Sequence, residues 1–341
     1  MSSIVAMGPV TVGINLTSSR AELRELGLTP GSFSILSVAR IEAIRLTLEQ
    51  NRGTLPAPRN GGSVGNTANL IARAGVSCGF MGVGGNDTFG RAFVDNCESA
   101  SIAFLSKLEE GAVTGYDFYL YDEAGERTII LTHGANSLLS PDRIDNGAIQ
   151  DAELMLLDGS VLSFSPESEA AMAHCAQVAE AADVPFVLTL ASTQIVSDYR
   201  PFYDMFAPKA QMVAGNLEQT AVLLHLNPKS PLDEVRTELA KTPINALVTL
   251  DAAGAFARIG GEEFLMPTQE IEALDSTGAG DNFLGAFLVA RRKGLPINKA
   301  LAVGNIVAGK VIQYDSARLP PSVDVPTLMQ KAIQIAESLD D

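Results

Sequence analysis

Residues 275–281 read DSTGAGD and directly precede an apolar stretch, residues 282–294, whose spacing predicts a helix. The small residues Gly278, Ala279 and Gly280 therefore form a turn at the start of that helix. The first backbone N–H groups of a helix have no carbonyl partner within it, and together with the helix dipole they favour an anion. Because small residues also let a phosphate approach the backbone closely, the turn is a predicted phosphate site.

Asp281 lies in the first turn of the predicted helix, within reach of the same site. A carboxylate at this position can take a proton from a hydroxyl group that attacks the phosphate. Phosphoryl transfer depends mainly on positioning and charge neutralisation, so a weak base is sufficient. The alternative is that Asp281 only stabilises its helix, as acids in the first turn commonly do. The Gly-Ala-Gly turn before Asp281 favours the catalytic interpretation.

A second glycine-rich segment, residues 61–75, reads GGSVGNTANLIARAG. Gly61 and Gly62 precede a predicted helix that carries Asn66 in its first turns. A glycine pair lets a sugar or nucleoside lie against the backbone, with Asn66 bonding its hydroxyl groups. Taken alone, the segment is better described as an ordinary helix entry after a turn.

From about residue 150 onward, predicted strands and helices alternate. This alternation predicts an α/β fold with a parallel, doubly wound sheet covered by helices on both faces. The predicted strands are residues 152–160, 185–191, 210–216 and 245–251, and the predicted helices are residues 167–182, 198–206 and 231–241.

Two regions depart from this alternation. Residues 113–134 contain two aromatic or β-branched runs around the sequence DEAGE, which is typical of a β-hairpin. Residues 10–16 and 32–37 are also strand-like, with a short helix between them. Together these segments predict a small sheet beside the main domain, which we call the lid.

The composition excludes several classes of protein. The 341-residue chain has a formal net charge of −16, which makes nucleic acid an improbable partner because phosphate backbones require basic patches. A nucleotide is not excluded, since a helix N-terminus and a magnesium ion create a local positive site. The sequence shows no run of about 18 apolar residues and no leader pattern, so we expect neither a membrane span nor secretion. Three widely spaced cysteines fit reduced thiols in a cytoplasmic protein.

The two glycine segments together resemble the two signature regions of the ribokinase-like, or PfkB, carbohydrate kinase family. Residues 275–281 are close to that family's D-T-x-G-A-G-D pattern. The resemblance covers nearly the whole chain, because residues 80–93 and 248–257 also look like family segments. Within the family, residues 21–32, 125–136 and 188–202 look most like the adenosine-kinase-like branch.

The resemblance implies a fold and a division of the chain. The fold is a ribokinase-like three-layer α/β/α doubly wound sheet with a small β lid. Residues 1–9, 51–111 and 134–341 would form a discontinuous nucleotide-binding core, and residues 10–50 and 112–133 would contribute the lid. In this family a lid sheet can be an apolar dimer surface, so the resemblance also allows a homodimer through the lid.

The resemblance further implies roles for individual residues. Asp281 would be the catalytic base and residues 278–280 the anion hole. The implied contacts to the phosphate acceptor are Gly61, Gly62 and Asn66. The implied nucleotide contacts are Asn216, Thr249, Gly254 and Asn305. The loop at Asp275 and Thr277 would provide carbonyl oxygens to a monovalent cation such as potassium.

Three positions depart from the family pattern. Gly13 stands where the family carries an Asp that bonds the acceptor, and Asn15 is the nearest polar side chain. The N-x-x-E motif that orients magnesium through water appears as residues 216–219, with Gln219 in place of the acid. Glu218, one position early, would then be the acid that contacts magnesium through water. Asp251 stands where the family favours Gly.

The predicted activity is that of an ATP-dependent kinase that phosphorylates a primary hydroxyl of a small molecule, with magnesium and potassium as the expected cofactors. Adenosine-like nucleosides are the first acceptor class, and a free sugar of the ribokinase or fructokinase type is the alternative. Because Gly13 and Gln219 replace acids of the family pattern, a non-catalytic protein that senses a nucleotide or sugar is a second hypothesis. An NAD-dependent dehydrogenase fits the strand–helix alternation alone, since no G-x-G-x-x-G follows the first strand.

Overall fold

The computed structural model describes residues 2–269 and 271–339, and its elements are numbered here in chain order. The strands are β1 (Ile4–Met7), β2 (Thr11–Thr17), β3 (Phe33–Ile35), β4 (Arg59–Asn60), β5 (Cys78–Met81), β6 (Ile102–Phe104), β7 (Gly115–Tyr121), β8 (Arg127–Thr132), β9 (Leu154–Leu157), β10 (Phe186–Thr189), β11 (Met212–Asn216), β12 (Ala246–Thr249), β13 (Ala255–Ile259) and β14 (Glu262–Met266). The α-helices are α1 (Arg20–Glu25), α2 (Val38–Arg52), α3 (Ser63–Arg73), α4 (Thr88–Ser99), α5 (Asn146–Gln150), α6 (Pro166–Ala181), α7 (Thr193–Asp198), α8 (Arg200–Phe206), α9 (Leu217–Leu223), α10 (Leu232–Leu239), α11 (Ala279–Arg292), α12 (Ile297–Val311) and α13 (Val325–Ser338).

The larger sheet has nine strands in the order β14-β13-β12-β11-β10-β9-β1-β5-β6. The strands from β12 to β6 run parallel, and β13 and β14 add an antiparallel edge. The strand order reverses at β1, which pairs with β5 on one side and β9 on the other. In open α/β sheets, ligands bind at such a reversal, outside the carboxyl ends of the strands.

The side chains of this sheet alternate between two hydrophobic cores, as the period of a strand requires. Ile4 and Ala6 of β1 belong to one core, and Val5 and Met7 belong to the other. The first core includes residues of α3, α11, α12 and α13, whereas the second includes residues of α6, α8, α9 and α10. Helices therefore cover both faces, and the predicted three-layer α/β/α fold is confirmed.

The smaller sheet has the order β3-β8-β7-β2-β4 and forms the lid. Strands β7 and β8 are the predicted hairpin, and β2 runs parallel to β7. Strand β4 pairs with β2 although the sequence analysis assigned residues 51–111 to the core. Residues 59–60 therefore belong to the lid sheet and not to the core, because the chain runs along β2 at Arg59 and Asn60 before it enters α3.

Some predicted boundaries were wrong for identifiable reasons. The helix predicted at 198–206 is divided between α7 and α8, because Pro201 near the start of α8 has no N–H to continue an earlier helix. Between β14, which ends at Met266, and the turn at 278–280, the described residues form no further strand or helix. Glu270 in that segment lies outside the described residues. In the described part of the chain, no helix has the length and apolar character needed to cross a membrane.

Candidate active site

Polar residues collect at the carboxyl ends of the parallel strands. Asp158 follows β9, and Thr189, Asn216 and Thr249 are the last residues of β10, β11 and β12. The last three line a cavity of about 290 Å³, together with Ala279, Gly280 and Asp281 from the start of α11. The strand ends and a helix N-terminus thus share one cavity.

The turn before α11 has the predicted geometry at two of its three small residues. Gly278 caps the helix with φ +77°, and a Cβ at this position would lie 2.2 Å from the carbonyl oxygen of Ala317. A Cβ at Gly280 would meet no atom within 4 Å, so the backbone there is open to a ligand. The predicted anion contact differs at Ala279, because its N–H donates a hydrogen bond to the carbonyl of Ser276 at 3.2 Å. The N–H of Gly280 is therefore the better anion donor.

Asp281 is held by side chains of α3, which packs against α11. One carboxylate oxygen accepts a hydrogen bond from the Ser63 hydroxyl, and the other accepts one from Nδ2 of Asn66 at 2.8 Å. The hydroxyl of Thr67 donates to the backbone carbonyl of Asp281 at 3.0 Å. These contacts fix the carboxylate at the boundary between the two glycine segments.

The surroundings of Asp281 also set its protonation. Burial raises the pKa of this carboxyl to about 6, and the hydrogen bonds from Ser63 and Asn66 oppose the rise. The nearby charge of Asp158 raises the pKa further, whereas that of Arg318 lowers it. A carboxylate with this pKa is ionised at neutral pH and more basic than a solvated one, as a general base requires.

Arg318 is a site residue that the sequence analysis did not find. Its Nε donates to Oδ1 of Asn66 at 2.7 Å, and burial lowers the pKa of the guanidinium to about 10. Both ends of the Asn66 amide are thus bonded to protein groups, and the residue is 5% exposed. Asn66 therefore orients Asp281 in this structure, and its predicted contact with the acceptor stays a prediction.

Asp158 is a second residue that was missed. It is fully buried, and its carboxylate accepts hydrogen bonds from the Val64 N–H at 3.0 Å and from the Ser160 hydroxyl at 2.7 Å. Burial raises the pKa of Asp158, and these donors oppose the rise. Its carboxyl group therefore lies at the N-terminus of α3, the helix whose side chains hold Asp281.

The motif at residues 216–219 closes the start of α9. Asn216 accepts from the Gln219 N–H, Gln219 accepts from the Asn216 N–H, and Nε2 of Gln219 donates to the Ala191 carbonyl at 2.8 Å. Gln219 lines the 290 Å³ cavity, whereas Glu218 is exposed and lies outside its wall. The suggested magnesium role of Glu218 is therefore not supported by its position.

Two other predicted nucleotide contacts support the cavity from outside. Gly254 has φ +100°, and a Cβ there would lie 2.1 Å from the Met266 carbonyl oxygen. Nδ2 of Asn305 donates to the same carbonyl at 3.0 Å. Both residues fix the loop after β14, while Thr249 and Asp251 line the cavity itself.

A larger cavity of about 740 Å³ lies between the lid and the segment 314–321. Gly13, Asn15 and Gly61 line it, and their place beside an acceptor stays a prediction. Exposed Arg59 and Arg127 also line it, although the chain as a whole is acidic. This cavity, which we call the lid cavity, can therefore hold a polar or anionic small molecule.

The loop at 275–277 is a compact turn in the wall of the lid cavity. The Asp275 carboxylate accepts hydrogen bonds from the N–H of Thr277 at 2.9 Å and from its hydroxyl at 2.6 Å. These bonds, both to Oδ1, hold the Asp275 side chain in the turn, and the contact of this loop with a monovalent cation stays a prediction.

Comparison with known proteins identifies this architecture. The model of the pfkB family carbohydrate kinase matches residues 35–324, most of the 341-residue chain. The chain belongs to the pfkB family. It is therefore a kinase, a phosphotransferase with an alcohol group as acceptor, and the resemblance drawn from the two glycine segments is confirmed.

Similar proteins fall into two groups. A 5-dehydro-2-deoxygluconokinase of Shouchella clausii is 28% identical over 286 residues, covering 79% of this chain and 84% of the relative. One of Clostridium perfringens is 25% identical over 320 residues, covering 87% and 90%. The crystal structure of adenosine kinase from Sinorhizobium meliloti matches with a TM-score of 0.83 and 24% identity over 97% of this chain and 99% of the other. The last comparison shows the fold.

Kinases of the pfkB family generally use ATP and Mg²⁺. In the described residues of this pfkB kinase, no three His, Cys, Asp or Glu side chains are grouped to hold a metal. Magnesium in kinase sites is commonly held by substrate phosphates and water with one or two protein oxygens. The cavity with Asn216, Asp251 and Asp281 fits an ion of that kind.

Proposed function

We propose that this pfkB-family kinase transfers the γ-phosphoryl group of ATP to a primary hydroxyl of a sugar or nucleoside, with Asp281 as the base. The position of Asp281 is the observation that supports this most. Its carboxylate and its partner Ser63 line the cavity at the N-terminus of α11, and Gly61, two residues before Ser63, lines the lid cavity. A phosphate on the turn and a hydroxyl entering from the lid cavity would meet at this carboxylate.

The residues divide the work of the reaction. Asp281 accepts the hydroxyl proton while the acceptor oxygen bonds to the γ-phosphorus and the bond from that phosphorus to the ADP oxygen breaks. Asn66 and Ser63 hold the carboxylate in place. The Gly280 N–H and the dipole of α11 stabilise the charge on the transferred group.

Cations complete the proposed site. Asn216 and Asp251 are the residues of the 290 Å³ cavity that would hold Mg²⁺ through water, and the ion would neutralise phosphate charge. Potassium would bind backbone oxygens of the 275–277 turn. Replacing potassium by lithium in the assay should then lower turnover at fixed magnesium.

Sugars are the acceptor class that we favour, which reverses the order given by the sequence analysis. The curated relatives are named as kinases of a sugar derivative, and Arg59 and Arg127 give the lid cavity cations that suit an acidic sugar. A nucleoside is the second candidate. It is favoured by Tyr119 and Tyr121, whose rings line the same cavity and offer surfaces on which a base can stack.

We also propose a homodimer formed through the lid. Phe33 and Ile35 on the edge strand β3 are 61% and 55% exposed, and such residues favour pairing with another chain. Light scattering should give the mass of a dimer, and a monomer at all concentrations would contradict this part of the proposal.

The experiment measures ADP release with ATP, Mg²⁺ and K⁺ against 5-dehydro-2-deoxygluconate, D-fructose, D-ribose and adenosine. Turnover with one acceptor supports the kinase and identifies its class. Absence of ADP with all four, while ATP still raises the melting temperature, would favour the sensor instead.

A further inference from the structure

A carboxylate stands on the ligand-facing side of the lid sheet. Tyr116, Phe118 and Leu120 of β7 are fully buried in the lid core. The alternate residues Tyr119 and Tyr121 line the lid cavity. Because successive side chains of a strand point to opposite faces, Asp117 shares the face of the two tyrosines.

Asp117 is weakly bonded for a half-buried carboxylate. Its oxygens lie 3.5 Å from the Thr11 hydroxyl and 3.5 Å from the Tyr119 hydroxyl, both at the outer limit of a hydrogen bond. Across the described residues, no lysine or arginine lies within ion-pair distance of it. Burial raises the pKa of this carboxyl to about 7, and the Tyr119 and Thr11 bonds oppose the rise. Its oxygens therefore retain capacity to accept stronger hydrogen bonds.

The position of Asp117 connects the lid to the base. A Cβ at Gly61 would lie 3.8 Å from Oδ2 of Asp117, and the Gly61 N–H donates to the Thr11 carbonyl at 2.9 Å. Gly61 lines the lid cavity, and Ser63 just beyond it bonds Asp281. Asp117 thus lies beside Gly61, a residue of the cavity wall that precedes Ser63 by two positions.

The residue opposite Asp117 on the neighbouring strand is a glycine. Gly13 pairs with Asp117 across β2 and β7, and it carries no side chain. A Cβ at Gly13 would lie 2.9 Å from Cε2 of Tyr119, so the tyrosine ring occupies the space beside it. Of the two paired residues, only Asp117 has a side-chain acceptor group.

We propose that Asp117 is a specificity-determining residue that binds the phosphate acceptor, selecting molecules with two adjacent hydroxyl groups near the phosphorylated end. This rests on the proposed kinase function. A carboxylate accepts hydrogen bonds from both hydroxyls of such a pair, and these bonds are stronger than those between neutral groups. An acceptor that lacks one of the hydroxyls leaves an oxygen of Asp117 without a hydrogen-bond donor, so it binds more weakly.

The test compares Asp117→Asn, Asp117→Ala and Asp117→Glu with the wild type, using whichever of the four acceptors above the wild type turns over. Glu123→Gln, in the exposed turn of the same hairpin, is the matched control. For Asp117→Asn we expect the acceptor KM to rise about 10-fold or more with the ATP KM unchanged. Asp117→Glu should recover part of the loss, because it restores the charge.

The melting temperature of each variant shows whether it is folded. If Asp117→Ala unfolds, Asp117→Asn, which keeps the side-chain shape, tests whether Asp117 binds the acceptor. An acceptor KM within about twofold of the wild type in Asp117→Asn overturns the proposal. If the wild type releases no ADP with any acceptor, the proposed function has failed separately. In that case the rise in melting temperature that each of the four acceptors produces decides. A rise with the wild type that is lost in Asp117→Asn supports a binding role for Asp117. Equal rises with both proteins, or no rise with either, overturn that role.

Discussion

The amide nitrogen of Asn66 lies 2.8 Å from Oδ2 of Asp281 and donates a hydrogen bond to it. The amide oxygen accepts from Nε of Arg318 at 2.7 Å. Since a guanidinium can only donate, Arg318 prevents the amide from turning its oxygen toward the carboxylate. Residue 318, far along the chain, thus controls the orientation of the base.

We predict that Asn66→Ala and Arg318→Met both lower kcat, by about 10-fold each, because Asp281 loses a donor or the donor loses its orientation. Both changes should also move the acidic limb of the pH–kcat profile upward, since Asn66 and Arg318 favour the ionised carboxylate. Arg91→Met, at an exposed position on α4, is the control. A limb that stays at the wild-type pH in both variants would contradict the positioning role.

The second prediction concerns pH in the unmodified enzyme. The base must be ionised, and burial holds its pKa at about 6. Turnover should therefore be constant above that pH and fall about tenfold for each pH unit below it. Saturating ATP and acceptor at every pH keep the measurement on kcat, and a flat profile through this range would argue against a carboxylate base.

Asp158→Asn should shift the same limb in the opposite direction. The charge of Asp158 raises the pKa of Asp281, so its removal makes the base weaker and moves the limb to lower pH. The asparagine retains one oxygen to accept from the Val64 N–H. An upward shift in this variant would mean that the two carboxylates do not interact as described.

The two outer glycines of the turn give a matched pair. Gly278→Ala places a methyl group against the Ala317 carbonyl at a positive φ, so we expect a loss of about 1–3 kcal/mol in the free energy of unfolding. Gly280→Ala meets no atom within 4 Å and should keep its stability, while its methyl group raises the KM for ATP. Denaturant unfolding and steady-state kinetics separate the two effects, and equal stability losses would refute the account of the turn.

Local pattern was sufficient for the parts of the site that are continuous in the sequence. The turn at 278–280 and Asp281 were predictable because glycine, helix periodicity and a first-turn acid occur together over a few residues. The strands from 152 onward were predictable because buried parallel strands are short apolar runs.

Long-range contacts were not predictable in this way. Arg318 and Asp158 reach the site only because α3, α11 and the segment 314–321 come together in the fold, and neither residue stands in a motif. The resemblance gave Asn66 a role at the acceptor, whereas its hydrogen bonds to Asp281 and Arg318 are formed only in the folded chain. Asp117 is an ordinary strand position until the register of β2 and β7 sets it beside Gly13.

The central claim is tested most directly by the ADP released by Asp281→Asn at saturating ATP and acceptor, with Asp95→Asn on the exposed face of α4 as the control. The account predicts a loss of ~10²-fold or more in kcat, the usual contribution of a positioned base, with the melting shift produced by ATP retained. Turnover close to that of the wild type would contradict Asp281 as the base.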